Sequence, residues 1–264
     1  MTKKNISEFD YKNFFKKLDL YKYDNILINS SILEFLIYER KNKKIFNISN
    51  FINELIESLN PKATLFIPAY NWDFCNGKIF DKNSTEPKTG SLAKSILKRT
   101  DFFRTQNPLY SFFVYGKNAS KLANIDEDNC FNFNSVFGYL IKKKAVNIFL
   151  GLDYKKAFTF VHVAEQKAKV NYRYLKSIKG KVLINGKIKN KKVKFFVRNL
   201  AMKIISTEID SKLDKYLIYK NILYKKKIMS INIQKLKIDK TYEIILRDLL
   251  KKNFKYVYPK KKLN

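Results

Sequence analysis

Apolar residues in the first part of the chain form two short continuous runs with a helically spaced set between them. The runs DNILINSSI at 24–32 and ATLFIPAY at 63–70 have the length and composition of buried strands. Between them the apolar residues recur at the spacing of one helix face: Phe51, Ile52, Leu55, Ile56 and Leu59. Ser49 is placed to cap this helix and Asn60-Pro61 to end it. A strand, a helix and a strand in this order predict a parallel sheet.

The same patterns predict elements on both sides of this unit. An amphipathic helix is expected over residues 8–18, and a long loop over 71–90. Farther along we expect a short helix, two apolar strands and a helix: SLAKSILKR at 91–99, YSFFVYG at 110–116, VNIFLGL at 146–152 and FTFVHVAEQKAK at 158–169. Because long ordered loops often carry function, the loop 71–90 is a candidate part of a site.

The region after residue 172 has a different pattern. KVLINGKI at 181–188 and KKVKFFVR at 191–198 have the character of strands. Asn185-Gly186 marks either the turn between them or a bend within the first strand. A helix near 210–220 and strands within KIMSINIQKLKI follow. Asp239 is placed to cap the last helix, TYEIILRDLLKK, and we expect the tail YPKKKLN to be loose.

These elements predict an α/β fold. The central sheet is expected to be mixed and largely parallel, with flanking helices and an antiparallel β-rich C-terminal addition. A chain of 264 residues suits one large domain, and its 45% hydrophobic and 15% aromatic content is typical of a folded globule. We expect a single domain over 1–264, with a core at about 20–172 and the antiparallel part at about 173–264.

Several classes of protein do not fit the composition. The chain begins without an apolar run of signal-peptide length, and none of its segments is apolar for long enough to span a bilayer. Cys75 and Cys130 do not make a disulfide framework, and His162 is the only histidine. We therefore expect a cytoplasmic protein without a membrane segment and without a metal site.

The formal net charge of +31 raises the question of nucleic-acid binding. Only six of the 54 basic residues are Arg, although base readout and phosphate clamping favour Arg, and the Lys residues are spread over almost every segment. The composition therefore argues against nucleic acid as the partner and favours the binding of small anionic ligands. A non-enzymatic protein that binds nucleic acid or an anionic surface stays open as the alternative from another class.

Six segments, in their order along the chain, resemble the aminoglycoside 3-N-acetyltransferase family. They are ILINSSI, TLFIPAYNWDF, FDKNSTEPKTGSLAKSILKR, RTQNPLYSFFVYGKNA, FNSVFGYL and IFLGLDYKKAFTFVHVAEQ. The resemblance covers about residues 24–200. Together with YRYLKSIKGKV it looks closest to the branch that acylates amino sugars on nucleotide carriers for surface polysaccharides.

This resemblance implies an acyltransferase domain that uses acyl-CoA, with acetyl-CoA the expected donor. Its acceptor would be the amine of a nucleotide-linked amino sugar made for a surface glycan, with an aminoglycoside antibiotic as the alternative acceptor. The basic composition favours a pyrophosphate-bearing acceptor over a cationic one. A homodimer is left open.

The resemblance also assigns residues. It matches His162 and Glu165 to a catalytic His–Glu pair, and it matches further positions to binding motifs: Ser30, Ser31, Arg104, Pro108, Ser111, Asn134, Ser135, Val136 and Phe137. The chain departs from the pattern at Asn29 and Asn107, where the family often has His, and at Thr85-Glu86-Pro87, where it has Thr-Pro-Ser. From these matches we expect acyl-CoA to bind at Ser30, Ser31, Asn107, Ser111, Ser135 and Phe137, and Arg104 to help bind the acceptor.

Apart from the resemblance, the chemistry of the residues supports His162 as a general base. An amine that attacks a thioester must lose a proton, and a group that titrates near neutrality removes it best. On a helix, positions i and i+3 share a face, so Glu165 can orient the imidazole and stabilise the imidazolium, which would raise the pKa of His162. The alternative is a helix-surface His beside a chance Glu. An acyl-cysteine on Cys75 or Cys130 is disfavoured because no second His exists to activate the thiol.

The other candidates have structural alternatives as well. Ser30 and Ser31 at a strand end suit phosphate or pantetheine contacts, but they equally suit a helix cap. Tyr70, Trp72 and Asp73 follow a strand, where the aromatic rings would stack on the acceptor and the carboxylate would bind its hydroxyls or amine. A core Trp beside a turn Asp explains these residues equally well.

Overall fold

The computed structural model describes residues 7–261. The helices are α1 Tyr11–Lys16, α2 Leu33–Asn42, α3 Ile48–Glu57, α4 Ser91–Ile96, α5 Ala119–Ala123, α6 Val136–Lys142, α7 Val161–Ala168, α8 Ser211–Tyr219 and α9 Ile238–Leu250. The strands are β1 Ser7–Glu8, β2 Asn25–Ser30, β3 Lys44–Ile45, β4 Thr64–Pro68, β5 Phe80–Asp81, β6 Phe103–Arg104, β7 Phe112–Gly116, β8 Val146–Leu150, β9 Arg173–Ile184, β10 Lys187–Arg198, β11 Ile204–Ile209, β12 Leu223–Ile228, β13 Ile231–Lys237 and β14 Val257–Lys261.

The predicted apolar runs form the middle of a seven-stranded sheet with the order β12-β13-β8-β2-β4-β7-β6. Strand β2 pairs in parallel with both β4 and β8, and the outer pairs are antiparallel. The predicted α/β class, with a mixed sheet, flanking helices and antiparallel additions, is confirmed. Within this sheet, parallel pairing is confined to the three central strands β8, β2 and β4.

Both faces of this sheet are buried, and side-chain alternation divides the core into two clusters. One face contributes Leu27, Phe66, Val114 and Phe149 to one cluster. The other face contributes Ile26, Ile28, Leu65, Ile67, Phe113 and Ile148 to the second cluster. The central strands are apolar at nearly every position because helices cover both faces.

The C-terminal addition is antiparallel, as predicted, but part of it extends the central sheet. Strand β13 pairs with β8, so the β12–β13 hairpin completes one side of that sheet. Strands β9 and β10 form a long separate hairpin that β5 joins, and β11 pairs with β14. Asn185 and Gly186 are the turn of this hairpin, with φ of 50° and 73°, as a type I′ turn requires.

Several local predictions need correction. The N-cap of α3 is Asn47, whose side chain accepts from the backbone N–H groups of Ser49 and Asn50, because the helix begins one residue before Ser49. Asp239 lies inside the first turn of α9 and does not cap it. The tail was expected to be loose, but Val257–Lys261 forms β14, and the last three residues lie outside the described part.

Helices α2, α5 and α6 were not predicted from the sequence, and the first helix is shorter than expected. Among the described residues, no helix is long and apolar enough to cross a membrane. That the chain folds as a single domain stays a prediction.

Candidate functional site

The ends of β2 and β8 meet at one edge of the sheet. Ser30 and Leu150 are register partners there, and the backbone N–H of Ser31 donates to the carbonyl of Leu150 at 2.8 Å. Gly151 turns the chain away with φ of 63°, and a Cβ there would lie 2.7 Å from the Ser31 carbonyl oxygen. This close approach requires glycine. Beyond this edge the chain enters α7, which carries His162.

His162 lies in the first turn of α7, and its side chain is 21% exposed. The ring of Phe131 packs against the imidazole edge to face, with 5.3 Å between the ring centroids. Nδ1 lies 2.7 Å from Glu165 Oε2. Because an ionised carboxylate only accepts hydrogen bonds, Nδ1 carries the proton and donates it, which leaves Nε2 as the basic nitrogen. The predicted i, i+3 pairing of the two side chains is confirmed.

Glu165 is fully buried and receives four groups from three segments. Its Oε2 faces His162 Nδ1 and also Arg173 Nε, at 2.8 Å. Its Oε1 accepts from the Tyr172 hydroxyl at 2.9 Å and from Thr207 Oγ1 at 2.7 Å. Arg173 begins β9 and Thr207 lies on β11, so the C-terminal addition fixes the carboxylate that orients His162.

The pKa shifts of this pair follow from burial and from the neighbouring cations. Burial lowers the pKa of His162, Glu165 raises it, and Arg173 and Arg198 lower it further, so the pKa lies below the usual value of 6.5. Burial raises the pKa of Glu165, but the hydrogen bond from His162 and the charge of Arg173 lower it, with a net downward shift. The expectation that Glu165 would raise the pKa of His162 overall is wrong, because burial outweighs the attraction of the carboxylate, and Arg173 and Arg198 lower the pKa further.

Two cavities meet at His162. The strand-end cavity, about 340 Å³, is bounded by Ser30, Tyr70, Trp72 and Thr159. The hairpin cavity, about 360 Å³, is bounded by residues of β9 and β10: Arg173, Tyr174, Lys176, Phe195, Val197 and Arg198. His162 and Tyr110 line both cavities. An imidazole shared between two cavities can act on two bound reactants at once.

A third cavity, which we call the lysine cavity, adjoins the strand-end cavity. It measures about 680 Å³ and shares Leu152 and Lys156 with its neighbour. Its charged lining residues are Lys156, Lys225, Lys226, Lys227, Glu34 and Asp153. Glu34 accepts from the backbone and side chain of Asn232, while Lys225 lies 2.6 Å from Asp214. Ser31 also lines this cavity.

Four of the predicted binding residues lie at these cavities. Ser30, Tyr70 and Trp72 line the strand-end cavity, and Ser31 lines the lysine cavity. Trp72 is 39% exposed, and its ring packs edge to face against the Tyr110 ring, with 6.2 Å between the ring centroids. Tyr70 is buried, and burial raises its pKa far above the usual value, so it is a neutral phenol. The geometry is compatible with their predicted roles.

Four other residues that were predicted to bind acyl-CoA lie in the interior of the protein. None of the four lines the strand-end cavity or the hairpin cavity. Asn107 accepts from the backbone N–H groups of Leu109 and Tyr110. Ser111 bonds to Arg104 and to the Ala69 carbonyl. The remaining two are Ser135, which caps α6, and Phe137, which packs in the core. Their predicted binding roles stay predictions, and the geometry gives each a structural partner.

Two predicted acceptor residues also have partners elsewhere. Arg104 is buried and donates to Ser111 Oγ and to the carbonyls of Ala69 and Thr85, which ties the loop 71–90 to the sheet. Burial lowers its pKa to about 10. Asp73 pairs with Lys78 at 3.0 Å and with Lys88, on the wall of a cavity of about 600 Å³ that does not include His162. Both geometries favour structural roles.

Neither cysteine lines a cavity beside His162. Cys130 is buried, and burial raises the pKa of its thiol. Cys75 is exposed in the loop 71–90, and partial desolvation raises the pKa of its thiol too. Within residues 7–261 no group of His, Cys, Asp and Glu side chains is arranged to hold a metal ion.

Sequence reasoning missed several polar residues that line the cavities or hold Glu165. Among them are Tyr110, Lys156, Thr159, Tyr172, Arg173, Lys176, Arg198 and Thr207. The scarcity of Arg, with six in the chain, was a usable signal for Arg173 and Arg198. Tyr and Lys are abundant along the whole chain, so Tyr110 and Lys156 carry no such signal.

Comparison with known proteins adds three solved structures and one family. The sequence model of the family described as aminoglycoside 3-N-acetyltransferase matches residues 41–248. The structure of sisomicin-bound AAC-VIa has a TM-score of 0.75 and 13% identity, covering 93% of this chain and 99% of that one. AAC-IIIb, solved as a binary complex with CoASH, has a TM-score of 0.73 and 15% identity, with coverages of 92% and 95%.

A third similar structure is the YokD protein from Bacillus subtilis, with a TM-score of 0.70, 17% identity, and 91% and 97% of the two chains covered. At these identities the three structures establish the fold. No curated protein matches the chain at a significant level.

Proposed function

Because the chain belongs to the aminoglycoside 3-N-acetyltransferase family, we propose that it transfers an acetyl group from acetyl-CoA to an amine of an amino sugar, with His162 as the general base. One observation carries the proposal. Glu165 holds Nδ1 of the imidazole, and the same side chain lines both the strand-end and the hairpin cavity. A base at the junction of two cavities suits a reaction between two substrates.

The reaction needs one proton carrier. The acceptor nitrogen attacks the thioester carbonyl, and the new C–N bond forms as Nε2 of His162 takes the N–H proton. The C–S bond then breaks, and the departing thiolate receives the proton from the imidazolium, which Glu165 stabilises. The lowered pKa of His162 keeps the imidazole neutral at neutral pH, so the base is present before the amine binds.

The donor fits the strand-end and lysine cavities. Its thioester would lie in the strand-end cavity near His162, with the pantetheine chain along Ser30 and Ser31. Its phosphates would then reach the lysine cavity, where the side chains of Lys156 and Lys227 make no hydrogen bond or ion pair with other described residues. Lys residues commonly bind phosphates as point charges. The similar AAC-IIIb structure holds CoASH.

Direct transfer is favoured over an acyl-cysteine. Cys130 is buried away from both cavities, and burial raises the pKa of its thiol, so it is a poor nucleophile. Cys75 is exposed but lines neither cavity beside His162. His162 is the only histidine that could activate a thiol, and Glu165 already orients it.

For the acceptor, the comparisons favour an aminoglycoside. The family bears that name, and the AAC-VIa structure has sisomicin bound. A nucleotide-linked amino sugar for surface glycans, the acceptor first expected from the sequence, is the second candidate. One observation favours it: no Asp or Glu lines the strand-end or the hairpin cavity, where a cationic aminoglycoside would need a counter-charge. A cytoplasmic location and a homodimer stay predictions.

The test is thiol release from acetyl-CoA by tag-free protein with a panel of amino-sugar amines. His162→Ala should still bind coenzyme A, but should lose ~10²–10⁴-fold in kcat, the usual effect of removing a general base. Lys167→Gln, at an exposed position of the same helix, is the control and should behave as wild type. If His162→Ala retains kcat within about twofold, far inside that loss, the histidine is not the base.

A further inference from the structure

The open end of the β9–β10 hairpin places two arginines opposite each other. Arg173 and Arg198 are register partners in the antiparallel pair, so their side chains leave the same face. Arg173 is compensated by Glu165 and also donates to Thr207 Oγ1 and to the Phe196 carbonyl. Arg198 makes no hydrogen bond or ion pair with any other described side chain. Its charge is therefore available at the wall of the hairpin cavity.

Lys176 adds a second available charge to the lining of the same cavity, from the other face of the hairpin, because it lies three residues after Arg173 and pairs with Phe195. Its side chain is exposed, and within residues 7–261 it has no ion-pair partner. Apart from His162, the charged residues that line the hairpin cavity are Arg173, Lys176 and Arg198, all of them cationic. Glu165 lies behind the wall, fully buried, hydrogen-bonded to His162, Tyr172 and Thr207 and ion-paired with Arg173. A ligand in this cavity meets net positive charge.

The apolar lining completes a site for a substituted sugar. Tyr174, with 49% of its surface exposed, and Phe195 offer ring faces next to the cations. Aromatic faces pack against sugar and base rings. A guanidinium presents paired N–H groups that match the oxygens of a phosphate or a carboxylate. Cations and rings together select a ring-bearing anion and repel a polycation.

We propose that Arg198 and Lys176 form an anion-binding subsite of the hairpin cavity, so that the acceptor is an amine that also carries a phosphate or carboxylate group. The inference rests on the proposed function, since it assigns the hairpin cavity to the acceptor. The strand-end and lysine cavities hold the donor. Bound there, the anionic group holds the acceptor amine at the junction with His162.

The experiment uses the only histidine as its reporter. In tag-free protein saturated with coenzyme A, the ring C2 proton of His162 gives one resolved NMR signal. Glucosamine 1-phosphate, glucosaminuronic acid, unmodified glucosamine and tobramycin are titrated in turn, and each binding curve is read from this signal. Saturating coenzyme A occupies the donor cavities, so the titrations report on the remaining cavity.

We expect the phosphate or the carboxylate probe to bind roughly 10-fold or more tightly than glucosamine, as for a charge-assisted contact. Whichever of the two binds better identifies the anionic group. Lys176→Gln with Arg198→Gln should remove this advantage and improve the binding of tobramycin. The control is Lys179→Gln with Lys192→Gln, which removes the same charge from a pair of register partners elsewhere in the hairpin and should leave the advantage intact.

Three outcomes would overturn the subsite. They are equal binding of glucosamine and the anionic probes, no anion-dependent shift at millimolar concentrations, or an advantage that survives in the Lys176–Arg198 variant. The proposed function fails by a different observation, namely full turnover by His162→Ala or no binding of coenzyme A. An enzyme with an essential His162 and no preference for anionic acceptors would keep the function and reject the subsite.

Discussion

At the residue scale, Glu165 decides which form His162 takes. Its two oxygens are shared among His162, Arg173, Tyr172 and Thr207, and the attraction of the carboxylate for an imidazolium does not outweigh the burial of His162. Burial and the two arginines then lower the pKa of His162. The side chain is therefore held as a neutral imidazole whose orientation is fixed but whose proton affinity is modest.

The pH dependence of the reaction should follow from this balance. Since the neutral imidazole is the base, kcat/KM, corrected for the protonated fraction of the acceptor amine, should fall only as the pH drops through the lowered pKa of His162, below the ordinary value of 6.5. Arg198→Gln removes a nearby cation, which raises that pKa and moves the acidic limb to higher pH. Lys179→Gln, on the distant part of the hairpin, should not move it. A limb above 6.5 in the wild type would contradict this account.

Glu165→Gln separates orientation from charge. The amide keeps the shape but leaves Arg173 buried without its counter-charge, which should cost about 3–5 kcal/mol of unfolding free energy. The loss of kcat should be smaller than the ~10²–10⁴-fold loss for removing the base itself. Denaturant unfolding and steady-state kinetics measure the two effects.

The control for this variant is Tyr172→Phe, which removes one hydrogen bond to Glu165 and no charge. Tyr172→Phe should lower the free energy of unfolding by about 1 kcal/mol. If it destabilises the protein as much as Glu165→Gln does, the buried ion pair is not what holds this region.

The sequence predicted the pairing of His162 and Glu165 but not the electrostatics around it. Spacing along one helix brings these two side chains together, and that spacing is visible in the chain. Arg198 and Thr207 reach the pair only because the hairpin and β11 fold back over α7. No local sequence pattern indicates that the hairpin and β11 pack near α7. The sign of the pKa shift of His162 was therefore not predictable from the sequence.

At the scale of elements, α6 shows why some helices escape prediction. Five of its seven residues are buried: Val136, Phe137, Gly138, Leu140 and Ile141. A short helix buried on nearly every side has no amphipathic period, so its pattern cannot be told from a strand or a loop. The central strands were predictable because apolar runs of that length, bounded by turn residues, are typical of buried strands and fit few other structures.

Gly138 tests how tightly α6 packs. A Cβ at this position would lie 2.4 Å from both Cα and the carbonyl oxygen of Phe133. Gly→Ala within a helix normally stabilises by about 0.5–1 kcal/mol, but here the backbone must move, so Gly138→Ala should destabilise by about 1–3 kcal/mol. Chemical denaturation measures whether the free energy of unfolding falls or rises.

Ser120→Ala at an exposed position of α5 is the control for Gly138→Ala, with a change of a few tenths of a kcal/mol expected from helix propensity. A stabilised Gly138→Ala variant would mean that α6 packs less closely against the segment at Phe133 than the structure has it.

At the scale of the whole molecule, the C-terminal addition and the core depend on each other. Strand β13 covers the edge of β8, and residues of β9 and β11 hold Glu165. We therefore expect one cooperative unfolding transition. The fluorescence of Trp72, the only tryptophan, reports on the site, while far-ultraviolet circular dichroism reports on the whole chain. Coincident curves support a single domain. An earlier fluorescence transition would indicate that the site region unfolds separately.

The net charge of +31 should make stability and donor binding respond to salt in opposite directions. Raising the ionic strength from 0.01 M to 0.15 M shortens the screening length from about 30 Å to about 8 Å. The melting temperature of the free protein should rise because repulsion among its many lysines is screened. The affinity for coenzyme A should fall, since its phosphates are expected to lie among the lysines at 225–227 and Lys156.

Acetyl-pantetheine, which lacks the nucleotide and its phosphates, is the control donor. Its affinity should not change over the same range of salt, because it carries no phosphate for the lysines to bind. Lys227→Gln should weaken coenzyme A at low salt and leave acetyl-pantetheine unchanged. Calorimetric titration measures all four affinities. If coenzyme A binds equally well at both ionic strengths, these lysines do not bind its phosphates. The positive charge of the protein then does not contribute to its affinity for the donor.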